Sequence, residues 1–172
     1  MDPSLDRNGT EVTGKLKTQH SRPFMPGYGI VGEKEGAGLL PWDFVERRMN
    51  AARNFWVSTS GAQGPHAAPV WGLWHAGAFY FSTGTESRKG RNLAAAPQVS
   101  VHLESGEEVV ILEGSVAEVK DPSVLRDLDK DYKKKYGLPM QGPGQIYKLI
   151  TAKAFAWREQ DFPLSATRWI FG

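Results

Sequence analysis

Residues 54–84 read NFWVSTSGAQGPHAAPVWGLWHAGAFYFSTG. Three short runs within it, NFWVSTSG (54–61), PHAAPVWGLWH (65–75) and GAFYFSTG (77–84), are aromatic and β-branched. SGAQG and HAG separate them, and short glycine-bearing gaps of this kind are turn chemistry. The pattern predicts three antiparallel strands in a meander, with Gly77 at the tight position of the second hairpin. Trp71 and Trp74 are three apart on one strand, so they face opposite sides, and one of them points away from the interior. A large aromatic in that place needs a cover, either a ring-bearing ligand or another subunit.

Upstream, LPWDFVERRMNAARN predicts a helix. Pro41 suits its first turn and Asp43 and Glu46 its positive end. Trp42, Val45, Met49 and Ala52 share one face. Residues 1–38 are rich in Gly, Pro, Ser, Thr and charge and read as a mobile N-terminal arm. RPFMPGYGI within it reads as an extended strap, because Pro23 and Pro26 disfavour helix. The folded domain is expected over 39–172.

Downstream, a helix is expected from Ser87 to Ala96, stopping at Pro97. QVSVHLES alternates, with Val99, Val101 and Leu103 on one face and Ser100 and His102 on the other. EEVVILEGSVAEVK (107–120) is a longer strand, apolar on both faces from Val109 to Leu112 as a central strand should be. Gly114 is a candidate bulge. DPSVLRDLDKDYKKKYG is a second long helix with Leu125, Leu128, Tyr132 and Tyr136 as its buried stripe. Lys133 to Lys135 read as its solvated end, favourable near a helix C-terminus. GLPMQGPG is a loop, and QIYKLITAKAFAWRE and SATRWIFG supply the last strands. Six or seven short strands in mostly consecutive hairpins predict a mainly β fold with flanking helices, built as a small closed or partly closed barrel. The alternation does not fit a doubly wound parallel sheet.

The 172 residues suffice for one domain with a core. An apolar fraction of 40% and a charged fraction of 23% are those of an ordinary globular chain. The formal charge of +2 is too small to argue for a nucleic-acid or membrane partner. With no cysteine, disulfides, thiolate metal sites, iron–sulfur clusters and a cysteine nucleophile are excluded. No stretch approaches a membrane span, and the N-terminus lacks the apolar segment of a signal peptide. The expected location is the cytoplasm.

Several chemistries lack their motifs. There is no G-x-x-x-x-G-K-[ST], no G-x-G-x-x-G and no G-x-S-x-G elbow. His20, His66, His75 and His102 do not stand at metal-ligand spacings, and no carboxylate partner is evident for His66 or His75, so no metal is expected. FSTGTESRKGRNL (81–93) is different. A strand ends at Ser82 and Thr83, Gly84 permits a sharp turn, and a helix opens at Ser87. Free N–H groups and the helix dipole make such a start an anion seat. Cations in a first turn are mildly unfavourable unless something negative sits there. Arg88 offers a planar fork and Lys89 a point charge, a pair suited to phosphate. Two readings stand at this point: a phosphate seat, or a basic exposed turn with Ser87 as N-cap. A phosphate seat beside an aromatic wall is what FMN needs.

The stretch from NFWVSTSG through SRKGRNLAAAPQVSVHLE resembles the pyridoxamine 5'-phosphate oxidase-like flavin-binding split-barrel superfamily, and within it the flavin/deazaflavin oxidoreductase branch. The similarity is centred on Arg53 to Val119. RPFMPGYGI...GLLPWDFVERR and FAWREQDFPLSATRWIFG extend it to nearly the whole chain past residue 20. The resemblance implies a six-stranded antiparallel split barrel of the FMN-binding type and a homodimer with cofactor sites in the interface. It implies that Arg88 and Lys89 grip the cofactor phosphate and that Ser82 and Thr83 add hydroxyl contacts. Ser87 would cap the helix beneath the phosphate, and Arg91 and Asn92 would extend the grip. Ala68, Pro69, Val70 and Trp71 would run along the isoalloxazine ring, offering mostly backbone groups. Trp157, Arg168 and Trp169 would reach the ring from the partner subunit.

Departures from the family matter as well. Pyridoxamine phosphate oxidases carry a basic residue where this hairpin has Ala68 and a glutamine where the long strand has Val109. They also end in a longer tail with Arg and His. Vitamin B6 oxidation is therefore not the expected activity. The leading expectation is an oxidoreductase that uses FMN, or the deazaflavin coenzyme F-420, to move a hydride to or from a small substrate. The deazaflavin tail would call on extra cations, for which Lys89, Arg91, Arg47 and Arg48 are candidates. FMN is favoured because nothing outside SRK compels a tail. The absence of an evident acid–base residue keeps a non-catalytic flavin, haem or tetrapyrrole carrier as the alternative, and a structural or regulatory protein with no cofactor as a third. Substrate contacts are expected from the strap around Met25 to Tyr28 and from the 137–144 loop.

Overall fold

A computed structural model describes residues 19–31, 36–140, 142 and 144–172. Its strands are β1 (Gln19–Ser21), β2 (Phe24–Met25), β3 (Ile30–Val31), β4 (Asn54–Gly61), β5 (Gly64–His75), β6 (Ala78–Thr83), β7 (Gln98–His102), β8 (Glu108–Glu118), β9 (Gln145–Arg158) and β10 (Thr167–Ile170). Its α-helices are α1 (Trp42–Ala51), α2 (Arg88–Ala95) and α3 (Pro122–Tyr136).

The meander forms as its alternation dictates. Gly61 pairs with Gly64 and His75 with Ala78, so each hairpin closes through two residues. Ala76 and Gly77 both take positive φ, 47° and 73°, the geometry that a tight two-residue hairpin requires. Six antiparallel strands then close a ring in the order β4, β5, β6, β9, β8, β7 and back to β4. The fold is the expected mainly β split barrel with flanking helices.

The split comes from the length of β9. One edge of β9 carries β8 along Tyr147–Arg158. The other edge takes β6 over Gln145–Lys148 and then β10 over Lys153–Ala156. The β8–β9 register shifts between Glu113 and Gly114, where a Cβ at Gly114 would collide with the Ile150 carbonyl. The expected bulge is there, and only glycine fits it.

Phe55, Val57, Phe79, Phe81, Val101, Leu112 and Leu149 fill the ring, and Phe44, Val45 and Met49 of α1 close one end. Trp74 packs inward against this core while Trp71 faces out, as their spacing requires. A second apolar cluster lies outside the barrel, where Leu128 and Tyr136 of α3 cover Leu73, Ala78, Tyr80 and Ile146. The expected stripe of α3 is the buried one, with Leu125 and Tyr132 at its margin.

Three expectations change. Pro41 stands just before α1 at the N-cap position, one residue earlier than its expected place in the first turn. Lys135 is not part of a solvated end. Its Nζ donates to the Gly72 carbonyl (3.3 Å) and lies over the rings of Phe55 and Tyr136. The mobile arm expected over 1–38 falls partly on residues 1–18 and 32–35, outside the described residues. Its described part is docked: β1 pairs with β10, and Arg22 donates to the carbonyls of Ala37, Pro163 and Leu164. The strap supplies the β2–β3 hairpin, with Phe24 and Tyr28 each 67% exposed.

Candidate functional site

Ser87 caps α2 as its position predicts. Its Oγ accepts from the Gly90 N–H (2.9 Å) and donates to the Gly84 carbonyl (2.7 Å). Thr83 therefore donates its own proton to Ser87 across 3.1 Å, since a hydroxyl has one proton to give. Gly90 has no alternative, because a Cβ there would run into the Gly84 and Thr85 carbonyls. The N–H groups of Arg88 and Lys89 belong to the turn that has no intrahelical acceptor.

The two cations take different places. The Arg88 Nη2 reaches back to the β4–β5 turn and donates to the Gln63 (2.9 Å) and Pro65 (3.3 Å) carbonyls. Its Nε is buried with no partner among the described residues. Lys89 is 8% exposed, and no acid pairs with it among the described residues. Burial pushes the Lys89 ammonium below its ordinary 10.5. An orphaned buried donor and a buried unpaired charge at one helix start are costly unless an anion completes them. These residues fit a phosphate.

The edge of β5 beside this start is open. β6 pairs with β5 only over Gly72–His75, whereas β4 pairs with it from Gly64 to Trp71. Pro65 and Pro69 lack N–H groups and are tolerated only where one side of a strand has no neighbour. Ala68 and Val70 turn inward, Pro69 and Trp71 outward, and the backbone between them lines the opening.

Other expected contacts change. Ser82 and Thr83 pair with Ile146 and Gln145, so strand alternation sends their side chains to opposite faces. Only Thr83 turns toward the α2 start, and its proton is committed to Ser87. Asn92 is 8% exposed and donates to Thr59 Oγ1 (3.0 Å), with its amide packed over Gly61. It ties α2 to β4. Arg91 bonds the Glu86 carbonyl, Arg47 pairs with Asp43, and Arg48 pairs with Glu108. Trp157 and Arg168 face outward, half-buried. Trp169 faces inward, 2% exposed, against Trp42 and His20, so its ring is not offered to a ligand.

Sequence reasoning missed an assembly at the far end of the open edge. Tyr136 Oη lies 2.7 and 2.8 Å from the Arg53 and Gly72 carbonyls, which compete for its one proton, and it receives the Gly72 N–H (3.2 Å). It finishes the β4–β5 ladder where β4 runs out. Its ring stacks on Trp71 (4.8 Å, 8°), and the Arg53 guanidinium lies over both rings at 5.1 and 5.2 Å. Much of the cover that Trp71 needs is therefore intramolecular, though it stays 39% exposed. His75 has a carboxylate after all, Asp131 Oδ2 at 2.9 Å. These partners lie tens of residues apart, so no local signal announces them.

The outer surface of the barrel carries a cleft of about 710 Å3 lined by small polar residues, among them Ser58, Ser60, Ser100 and Ser115, with Lys153 and the exposed Ile150 at its margin. Arg88, Lys89 and Trp71 are not among its lining residues. No group of His, Asp or Glu suited to a metal gathers among the described residues. Among them, no helix is long and apolar enough to cross a membrane.

The fold has solved counterparts. A conserved hypothetical protein from Mycobacterium tuberculosis is 22% identical, with a TM-score of 0.64 over 73% of this chain and 90% of that one. A FAD-binding protein from Mesorhizobium loti is 17% identical, with a TM-score of 0.55 over 76% and 95%. An F-420 reductase is 20% identical, with a TM-score of 0.51 over 63% and 94%. No curated protein sequence matches the chain. Residues 42–158, the barrel from α1 to the end of β9, match the family model described as pyridoxamine 5'-phosphate oxidase, and the chain belongs to that family.

Proposed function

We propose that the chain is a flavin-dependent oxidoreductase. It binds FMN, or alternatively the deazaflavin F-420, with the phosphate on the first turn of α2. One observation carries this reading: the Arg88 Nε and the buried Lys89, both without a partner among the described residues, stand at a helix start, beside a strand edge left open by its neighbour. Arg88, Lys89 and the first-turn N–H groups hold the phosphate. The β5 backbone from Ala68 to Trp71 orients the ring. The bound flavin supplies the hydride chemistry, and the chain supplies binding, orientation and exclusion of water. FMN is favoured over the tailed deazaflavin because Arg47, Arg48 and Arg91 already have partners. FAD- and F-420-linked relatives of the same fold are consistent with either.

The working unit is a homodimer. Around the outer surface, Pro69, Trp56, His102, Ile111, Phe155 and Arg168 lie in one register row across six strands. In this reading Arg168 and Trp157 of a second copy meet the ring on β5. The cleft on that surface gives the copy a place to pack.

The absorbance spectrum of the purified protein, with mass spectrometry of what it releases on denaturation, tests the cofactor. Flavin or deazaflavin bands support the proposal. A Soret band would favour haem carriage, and no chromophore with no flavin affinity would sink it. A flavin that binds but never cycles with any electron donor or acceptor would leave a carrier. The absence of an acid–base side chain bonded into the α2 seat among the described residues is the observation on which that second reading rests.

A further inference from the structure

We infer that Ser21 is a positioning residue, and that through it the N-terminal strand is a working part of the site that the outer surface forms; this rests on the flavin reading above. Ser21 pairs with Arg168 in the β1–β10 register. Its hydroxyl, on a residue only 8% exposed, receives both the Nε (3.3 Å) and the Nη2 (3.0 Å) of Arg168. No carboxylate pairs with Arg168 among the described residues. A half-buried guanidinium whose partner among the described residues is one neutral hydroxyl has most of its donors left for something else.

The strand is pinned on either side of Ser21. His20 stacks on Trp169 (5.5 Å) and bonds the Leu40 carbonyl (3.0 Å), and Arg22 clamps the 163–164 turn. Arginine side chains carry large rotamer entropy, so a two-point hold on one edge of the fork selects one orientation and leaves the Nη1 edge forward. Phe155 stands opposite Arg168 in the β9–β10 register, and an apolar neighbour of that kind strengthens a guanidinium's pull on an anionic or carbonyl edge. Ser21 thus orients Arg168 toward the ligand of a second copy.

The test uses the full chain, with FMN as the probe. Ser21→Ala is expected to weaken FMN binding about five-fold, the loss of roughly one hydrogen bond. Ser21→Thr, which keeps the hydroxyl, should restore it. In an Arg168→Ala background Ser21→Ala should add nothing, because the two act as a unit. In the ligand-free protein the Arg168 Nε–H signal in nitrogen–proton correlation spectra should exchange faster in Ser21→Ala than in the unmodified chain. A lowered melting temperature with unchanged FMN affinity, or additive effects in the Arg168→Ala background, overturns the inference and leaves the flavin reading intact. Failure of the unmodified chain to bind FMN or F-420 overturns both.

Discussion

Arg88–Lys89 and Lys133–Lys135 are both basic runs on helices, at opposite helix ends. The α3 run sits at a C-terminus, where the dipole favours cations. Its inward member, Lys135, has the Gly72 carbonyl and two aromatic faces as partners. The α2 pair sits at an N-terminus, against the dipole, and Lys89 is buried with no acid paired to it among the described residues. A cation that its surroundings satisfy serves the fold. A cation that they leave unsatisfied points to a ligand.

The largest effect that should separate the two runs is on ligand affinity. Arg88→Ala with Lys89→Ala removes two charge-assisted partners of roughly 1.5–3 kcal/mol each, so FMN affinity should fall at least a hundred-fold. Isothermal titration would measure it, and unchanged affinity would remove the phosphate seat. Lys134→Ala with Lys133→Ala should change it less than two-fold. Next in size is Tyr136→Phe. It deletes the hydroxyl that closes the β4–β5 ladder, so chemical denaturation should show a loss of about 1–3 kcal/mol.

A smaller effect has opposite signs in the two runs. Lys89→Met removes an uncompensated buried charge and should raise the melting temperature of the ligand-free protein by a few degrees. Lys135→Met loses a bond to the Gly72 carbonyl and should lower it. Equal signs in the two variants would abolish the contrast between the two runs.

The smallest effect is on pH dependence. Burial holds Lys89 below 10.5 in the folded chain. As pH rises through that lowered value the ammonium loses its charge, so FMN affinity should begin to fall below pH 10.5. Lys89→Arg, which keeps its charge, should delay the fall. Ligand-free stability moves the other way. Between the lowered folded value and the unfolded one, the unfolded chain holds more protons, so the Lys89 contribution to stability rises with pH.

Much of this was legible in the sequence. The meander, the glycine at the second hairpin, the Gly114 bulge and the stripe of α3 all follow from periods of two and 3.6 and from turn chemistry. Ser87 as a cap was legible too, because caps are local. What was not legible shares one cause. Asn92, Trp169, Lys135 and His75 find their partners, Thr59, Trp42, Gly72 and Asp131, elsewhere in the chain, where no local signal reaches. Residues 19–31 looked like a loose arm because a short strand without a long apolar run takes its stability from the sheet it joins.

The sequence by itself determined which segments become strands and helices, where the chain turns, and that a cationic helix start follows an aromatic hairpin. Those are short-range matters of backbone preference and side-chain period. Only the tertiary structure decided which cations stay unpaired, which edge of β5 stays open, and that β1 closes beside Arg168. Pairing across a barrel depends on register and burial, and these arise only when distant strands meet.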